Sequence, residues 1–155
     1  MLSKIRKYKE YLFLIISLIV SFYAFRSQLQ LCVIHNYVEF VSSIQNVLIF
    51  ISGVLVAAFG ITSFFATNRF IKKLKSLNVD LLIIERLFDL SLLSFILTIF
   101  PSFFLAQEPS STNDILRVTL SIFIGLLMFF VLSLCDLIKA FRKILKITID
   151  SEKER

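Results

Sequence analysis

The stretch VLIFISGVLVAAFGITSFFAT, residues 47–67, contains no charged side chain. About 20 apolar residues in a helix rising 1.5 Å each span the ~30 Å hydrocarbon core of a bilayer, so this run predicts a transmembrane helix. Three further windows resemble it: YLFLIISLIVSFYAF (11–25), LFDLSLLSFILTIFPSFFLA (87–106) and ILRVTLSIFIGLLMFFVLSLC (115–135). The first reaches spanning length if Lys7, Lys9 and Arg26 lay their stems along the core edges. None shows the alternation of a barrel strand, and lipid cannot satisfy open backbone groups, so helices are expected throughout.

Composition supports lipid as the solvent. Of 155 residues, 57% are apolar and 18 are Phe, with a mean hydropathy of +0.87. A soluble domain of this length would leave roughly a third of its chain surface wet, too much for so apolar a sequence. The leader resembles a secretory signal, but SFYAFRS (21–27) presents Phe22, Tyr23 and Phe25 where a peptidase requires small residues; an uncleaved first span is expected.

Charge sets the expected orientation. Lys4, Arg6, Lys7 and Lys9 precede the first span; Arg69, Lys72, Lys73, Lys75 and Arg86 lie between the second and third; Lys139, Arg142, Lys143, Lys146, Lys153 and Arg155 follow the fourth. The other two connections hold only Arg26 and Arg117. This alternation places both termini and the middle loop in the cytoplasm by the positive-inside rule. The expected fold is all-α: an integral membrane protein with four transmembrane helices over about 11–28, 44–67, 84–106 and 115–136, forming a single domain over 1–155.

Two elements are expected to outrun the bilayer. Ile34, Tyr37, Val38, Val41, Ile44 and Leu48 recur at three- and four-residue steps, so the second helix should begin well before residue 47. If it runs from 36 to 75 it is about 60 Å long. Beyond the fourth span, Leu137, Ile138, Phe141, Ile144, Leu145 and Ile149 oppose Lys139, Arg142, Lys143 and Lys146, which predicts a basic amphipathic extension over 137–149, near the inner surface or on a partner. QEPSSTND (107–114) reads as a tight external turn into a capped fourth helix.

Several residues are candidates for a site. The basic run Arg69, Lys72, Lys73, Lys75, with Lys139, Arg142, Lys143 and Lys146, could lie against anionic headgroups, each worth about 1 kcal/mol, or dock an acidic cytoplasmic protein. Nothing beside it offers the stacking platform of a nucleic-acid reader, so direct nucleic-acid binding is not expected. Asp89 and Asp136 are the carboxylates nearest apolar surroundings, where charge is costly and is normally paired or functional. Arg86 stands three residues before Asp89 and Lys139 three after Asp136, on the same helical faces, so interfacial ion pairs within each helix are expected. Glu85 and Asp89 form an i, i+4 carboxylate pair that could hold a cation.

Gly53, Ala57 and Gly60 line one stripe of the second span. Small residues let another helix approach closely, so they predict a packing seam within or between subunits. Pro101 predicts a kink. Cys32 and Cys135 are too few for a disulfide framework and fall on opposite sides of the membrane. His35 reads as an ordinary interfacial residue. No triad, phosphate loop or metal constellation is present in the sequence, so neither catalysis nor a cofactor is expected.

In outline, the chain resembles the membrane subunit of bacterial anti-phage systems of the Kiwa type: small, rich in Phe, Ile, Ser and Lys, with four spans and cytoplasmic basic segments. The resemblance is one of architecture and assigns no residue. It implies an inner-membrane homo-oligomer working with a DNA-binding cytosolic partner. Holin-like and superinfection-exclusion proteins share the outline, so a small pore is the alternative. A transporter is disfavoured, because no polar stripe crosses mid-membrane to line a path.

Overall fold

The structure, a computed structural model, describes residues 2–27, 36–64, 80–106 and 114–153, and the side chains of 8–27, 36–60, 85–106 and 114–142. These form four helices: α1 (Leu2–Arg26), α2 (Tyr37–Phe64), α3 (Asp80–Leu105) and α4 (Asp114–Lys153), with no strand among the described residues. Each holds a segment long and apolar enough to cross a membrane: Tyr8–Arg26, Tyr37–Gly60, Glu85–Leu105 and Asp114–Arg142. The chain is a multi-pass, all-helical membrane protein with four candidate spans, the fold class expected.

Helix starts follow local chemistry. α2 begins at Tyr37, ten residues before the uncharged run, as the periodicity requires. Asn36 turns the chain into it with φ 56°, a left-handed conformation that Asn tolerates better than most residues. The longest described helix is α4 rather than α2. α2 has 28 residues to Phe64, about 42 Å, and the proposed continuation over 65–75 lies outside the described residues. α4 has 40 residues, about 60 Å. No Gly or Pro interrupts it after Gly125, so nothing in the sequence stops the helix where the membrane ends. α3 runs through Pro101, which is buried, as one helix.

The helices pack in the order α2, α3, α4, α1, and neighbours are antiparallel. Tyr37 meets Phe104 and Phe59 meets Phe88 across α2 and α3. Phe123 of α4 packs 5.5 Å from Phe100 and 5.6 Å from Phe104 of α3, centroid to centroid. Ser21 meets Ser121 across α1 and α4. The buried positions repeat every seven residues or its 3–4 subdivision: Leu87, Leu90, Ser94, Leu97, Pro101 and Phe104 on α3; Leu116, Phe123, Phe130 and Leu137 on α4. A seven-residue repeat keeps one seam facing a neighbour crossing at about 20°.

Burial is uneven. In α3, 39% of the spanning window is buried, but in α1 only 11%, so α3 is central and α1 is peripheral. Exposed side chains such as Phe22, Phe50 and Ile99 therefore meet lipid. Buried serines replace large residues at the seams. Ser17, Ser91, Ser94 and Ser121 each donate to a carbonyl of their own helix, which removes the cost of burying a hydroxyl. The Ser52 hydroxyl is the one buried side-chain polar atom without a partner among the described residues.

Candidate functional site

The helix ends that carry Lys9, Arg86 and Asp136 are brought together at one end of the bundle, hereafter the basic end. There Arg86 of α3 donates from Nη1 to Asp136 Oδ2 of α4 at 2.6 Å, and its Nη2 lies 3.6 Å from Glu10 Oε1 of α1. Lys9 Nζ donates to the other oxygen, Asp136 Oδ1, at 3.3 Å. Four charges on three helices thus form one network. Its centre is the Arg86–Asp136 pair, whose side chains are 18% and 17% exposed; Lys9 and Glu10 at the rim are 56% and 46% exposed.

These partners differ from those read off the sequence. Arg86 does not turn to Asp89, three residues on, and Asp136 does not take Lys139: each charge pairs across helices. The reason is burial. An i, i+3 pair on a helix surface is worth a few tenths of a kcal/mol, whereas a partly desolvated, charge-assisted hydrogen bond is worth roughly 1.5–3 kcal/mol. Lys139 is left exposed, as is Arg142. Sequence reasoning missed Lys9 and Glu10 as site residues, although both sit where the first apolar run begins, at the same bundle level as Arg86 and Asp136.

Three of these charges, Glu10, Arg86 and Asp136, line one end of a half-open cavity of about 470 Å³. α1 and α3 both pack on α4 without packing closely on one another, and the gap between them is the cavity. Glu10, Arg86, Asp89 and Asp136 form its polar end, and Tyr11, Phe13, Leu90, Leu93 and Phe129 wall the rest. Asp89 is exposed into this space and has no ion pair or hydrogen bond among the described residues. Glu85 is exposed and lies outside the cavity wall, so the i, i+4 carboxylate pair does not converge there. Among the described residues, no group of three His, Cys, Asp or Glu could hold a metal ion.

The opposite end is held differently. Arg117 of α4 donates from Nε and Nη2 to the Phe25 carbonyl at 3.1 and 2.7 Å and lies 4.6 Å over the Phe25 ring. It thereby caps orphan carbonyl charge at the C-terminus of α1. Tyr37 donates to the Phe104 carbonyl near the end of α3, and Gln45 Nε2 donates to Ser102 Oγ at 2.9 Å.

The small-residue stripe of α2 faces away from the bundle. A Cβ added at Gly53 or Gly60 would meet nothing within 4 Å, and Ala57 is exposed, so among the described residues the stripe forms no seam within the subunit. The tight seam is at Gly125 of α4, where an added Cβ would lie 2.8 Å from Ser21 Cβ and 3.2 Å from the Ser17 carbonyl oxygen. Arg69, Lys72, Lys73 and Lys75 lie outside the described residues, as do Cys32 and His35; Lys143 and Lys146 lie in α4, with side chains outside the described set. Cys135 is a free, exposed thiol. No family model, curated protein or solved structure matches the chain.

Proposed function

We propose that the protein is a non-enzymatic subunit of the bacterial inner membrane that homo-oligomerises and recruits or restrains a cytoplasmic protein, in the manner of the membrane subunits of Kiwa-type anti-phage systems. The observation that carries this reading is the length of α4. The helix continues from the end of its spanning segment at Arg142 to Lys153, about 16 Å further. Lys139 and Arg142 stand exposed where it leaves the span. The partly buried network pairs Arg86 with Asp136 at this level, so Lys139 and Arg142 are free for a partner or for headgroups.

Oligomerisation is supported by the α2 stripe. Gly53, Ala57 and Gly60 lie on a stripe where no described residue meets either glycine, the arrangement by which membrane helices approach closely without a hydrophobic driving force.

The test is copurification from cells with the product of the neighbouring gene. Lys139→Glu with Arg142→Glu should abolish recovery of that protein while the membrane subunit still accumulates, and undiminished recovery would refute the dock. Dye release from lipid vesicles by the purified protein alone would favour a pore instead.

A further inference from the structure

We propose that the gap between α1 and α3 at the basic end is a binding groove for a compact amphiphilic organic cation, with an ammonium or phosphonium head and an apolar body about 10 Å long. The length follows from the wall: Asp136 and Phe129, seven residues apart on α4, mark its polar and apolar levels, and seven residues rise about 10 Å. A membrane-spanning acyl chain is longer than this, whereas two aryl rings or a short alkyl chain fit.

Charge decides the sign of the head. The wall carries three carboxylates, Glu10, Asp89 and Asp136, against one guanidinium. That guanidinium is already held between Glu10 and Asp136, so among the described lining residues an anionic head would find no free cation and would face Asp89. A cationic head would instead pair with Asp89, which has no partner of its own among the described residues.

The spread of the carboxylates decides its size. They do not converge on a point as a metal site requires, so they suit a head whose charge is diffuse. Tyr11 and Phe13 line the wall near Glu10, and aromatic rings attract such cations, while Phe129 lines the apolar part further along.

The experiment compares two ions of one shape and opposite charge. Radiolabelled tetraphenylphosphonium and tetraphenylborate are titrated against the full chain in phosphatidylglycerol nanodiscs, with empty discs subtracted. Saturable binding is expected for the phosphonium alone, weakened about tenfold by Asp89→Asn. That substitution removes no ion pair, so its thermal midpoint should match the parent. Leu93→Trp, which fills the groove, provides an independent variant and should abolish binding.

Equal uptake of both ions, uptake of neither, or parental affinity in both variants would overturn the proposal. Loss of phosphonium binding when phosphatidylethanolamine is added to the discs would assign the groove to a lipid ammonium and overturn it as well.

Discussion

Replacing Gly125 with Ala should separate α1 from α4, although a Gly to Ala change in a helix ordinarily adds about 1 kcal/mol of helical preference. The new methyl would sit 2.8 Å from Ser21 Cβ and 3.2 Å from the Ser17 carbonyl oxygen. Carbon atoms rest at about 3.5–4.0 Å, and neither neighbour can rotate away, since one is a Cβ and the other is backbone. α1 must therefore retreat by roughly 1 Å, a gap that forfeits a quarter to a half of each local dispersion contact. The bond from Ser21 Oγ to the Ser121 carbonyl, 2.9 Å long, would stretch beyond useful range, a further loss of about 0.6 kcal/mol on the membrane scale. Overpacking of this kind costs about 1–3 kcal/mol in total. Because α1 is the least buried helix, few other contacts compensate. Denaturation in mixed micelles should show the loss, and a Ser21→Cys, Ser121→Cys pair should cross-link readily in the parent and slowly in the variant. Gly53→Ala is the matched control: its methyl meets nothing, so the subunit should be as stable as the parent or more stable, by up to about 1 kcal/mol of helical preference. If Gly125→Ala is as stable as the parent, the close approach of α1 and α4 is refuted.

The remaining predictions concern the two ends. Arg86→Ala should destabilise by about 2–4 kcal/mol, because it removes the closest partner of the partly buried Asp136 and leaves it only the exposed Lys9 among the described residues. Arg86→Leu combined with Asp136→Leu should recover most of that loss, and a double mutant no better than Arg86→Ala would show that the pair is not coupled. Arg117→Lys should cost about 1 kcal/mol, since an ammonium cannot make the two-pronged contact to the Phe25 carbonyl while stacking on its ring; an unchanged unfolding midpoint would discard the capping role.

The spans were legible because lipid imposes one requirement, a long uncharged helix, and VLIFISGVLVAAFGITSFFAT meets it openly. The early start of α2 was legible too, since residues before 47 alternate polar and apolar with helical period. The packing was not. Leu116, Phe123, Phe130 and Leu137 recur every seven residues and form the α4 seam, but their neighbours Ile122, Val131 and Ile138 are equally apolar and exposed. Where both faces of a helix are greasy, hydropathy does not mark the inner one. The α2 glycines advertised a seam by spacing, whereas the tight contact uses the lone Gly125 against serines, which only the pairing of α1 with α4 reveals. The ion network was half visible: Arg86 and Asp136 stood out as charges at span ends, but their partners depend on which helices are neighbours in space.

Four crossings with the basic ends on the cytoplasmic side underlie the proposed function. Single cysteines at Asp114 and Arg142, in a chain carrying Cys32→Ser and Cys135→Ser, test this most directly, because α4 separates them by one span. A membrane-impermeant maleimide added outside intact cells should label residue 114 and leave residue 142 untouched until the cells are lysed. Labelling of residue 142 from outside, alone or with residue 114, would contradict it.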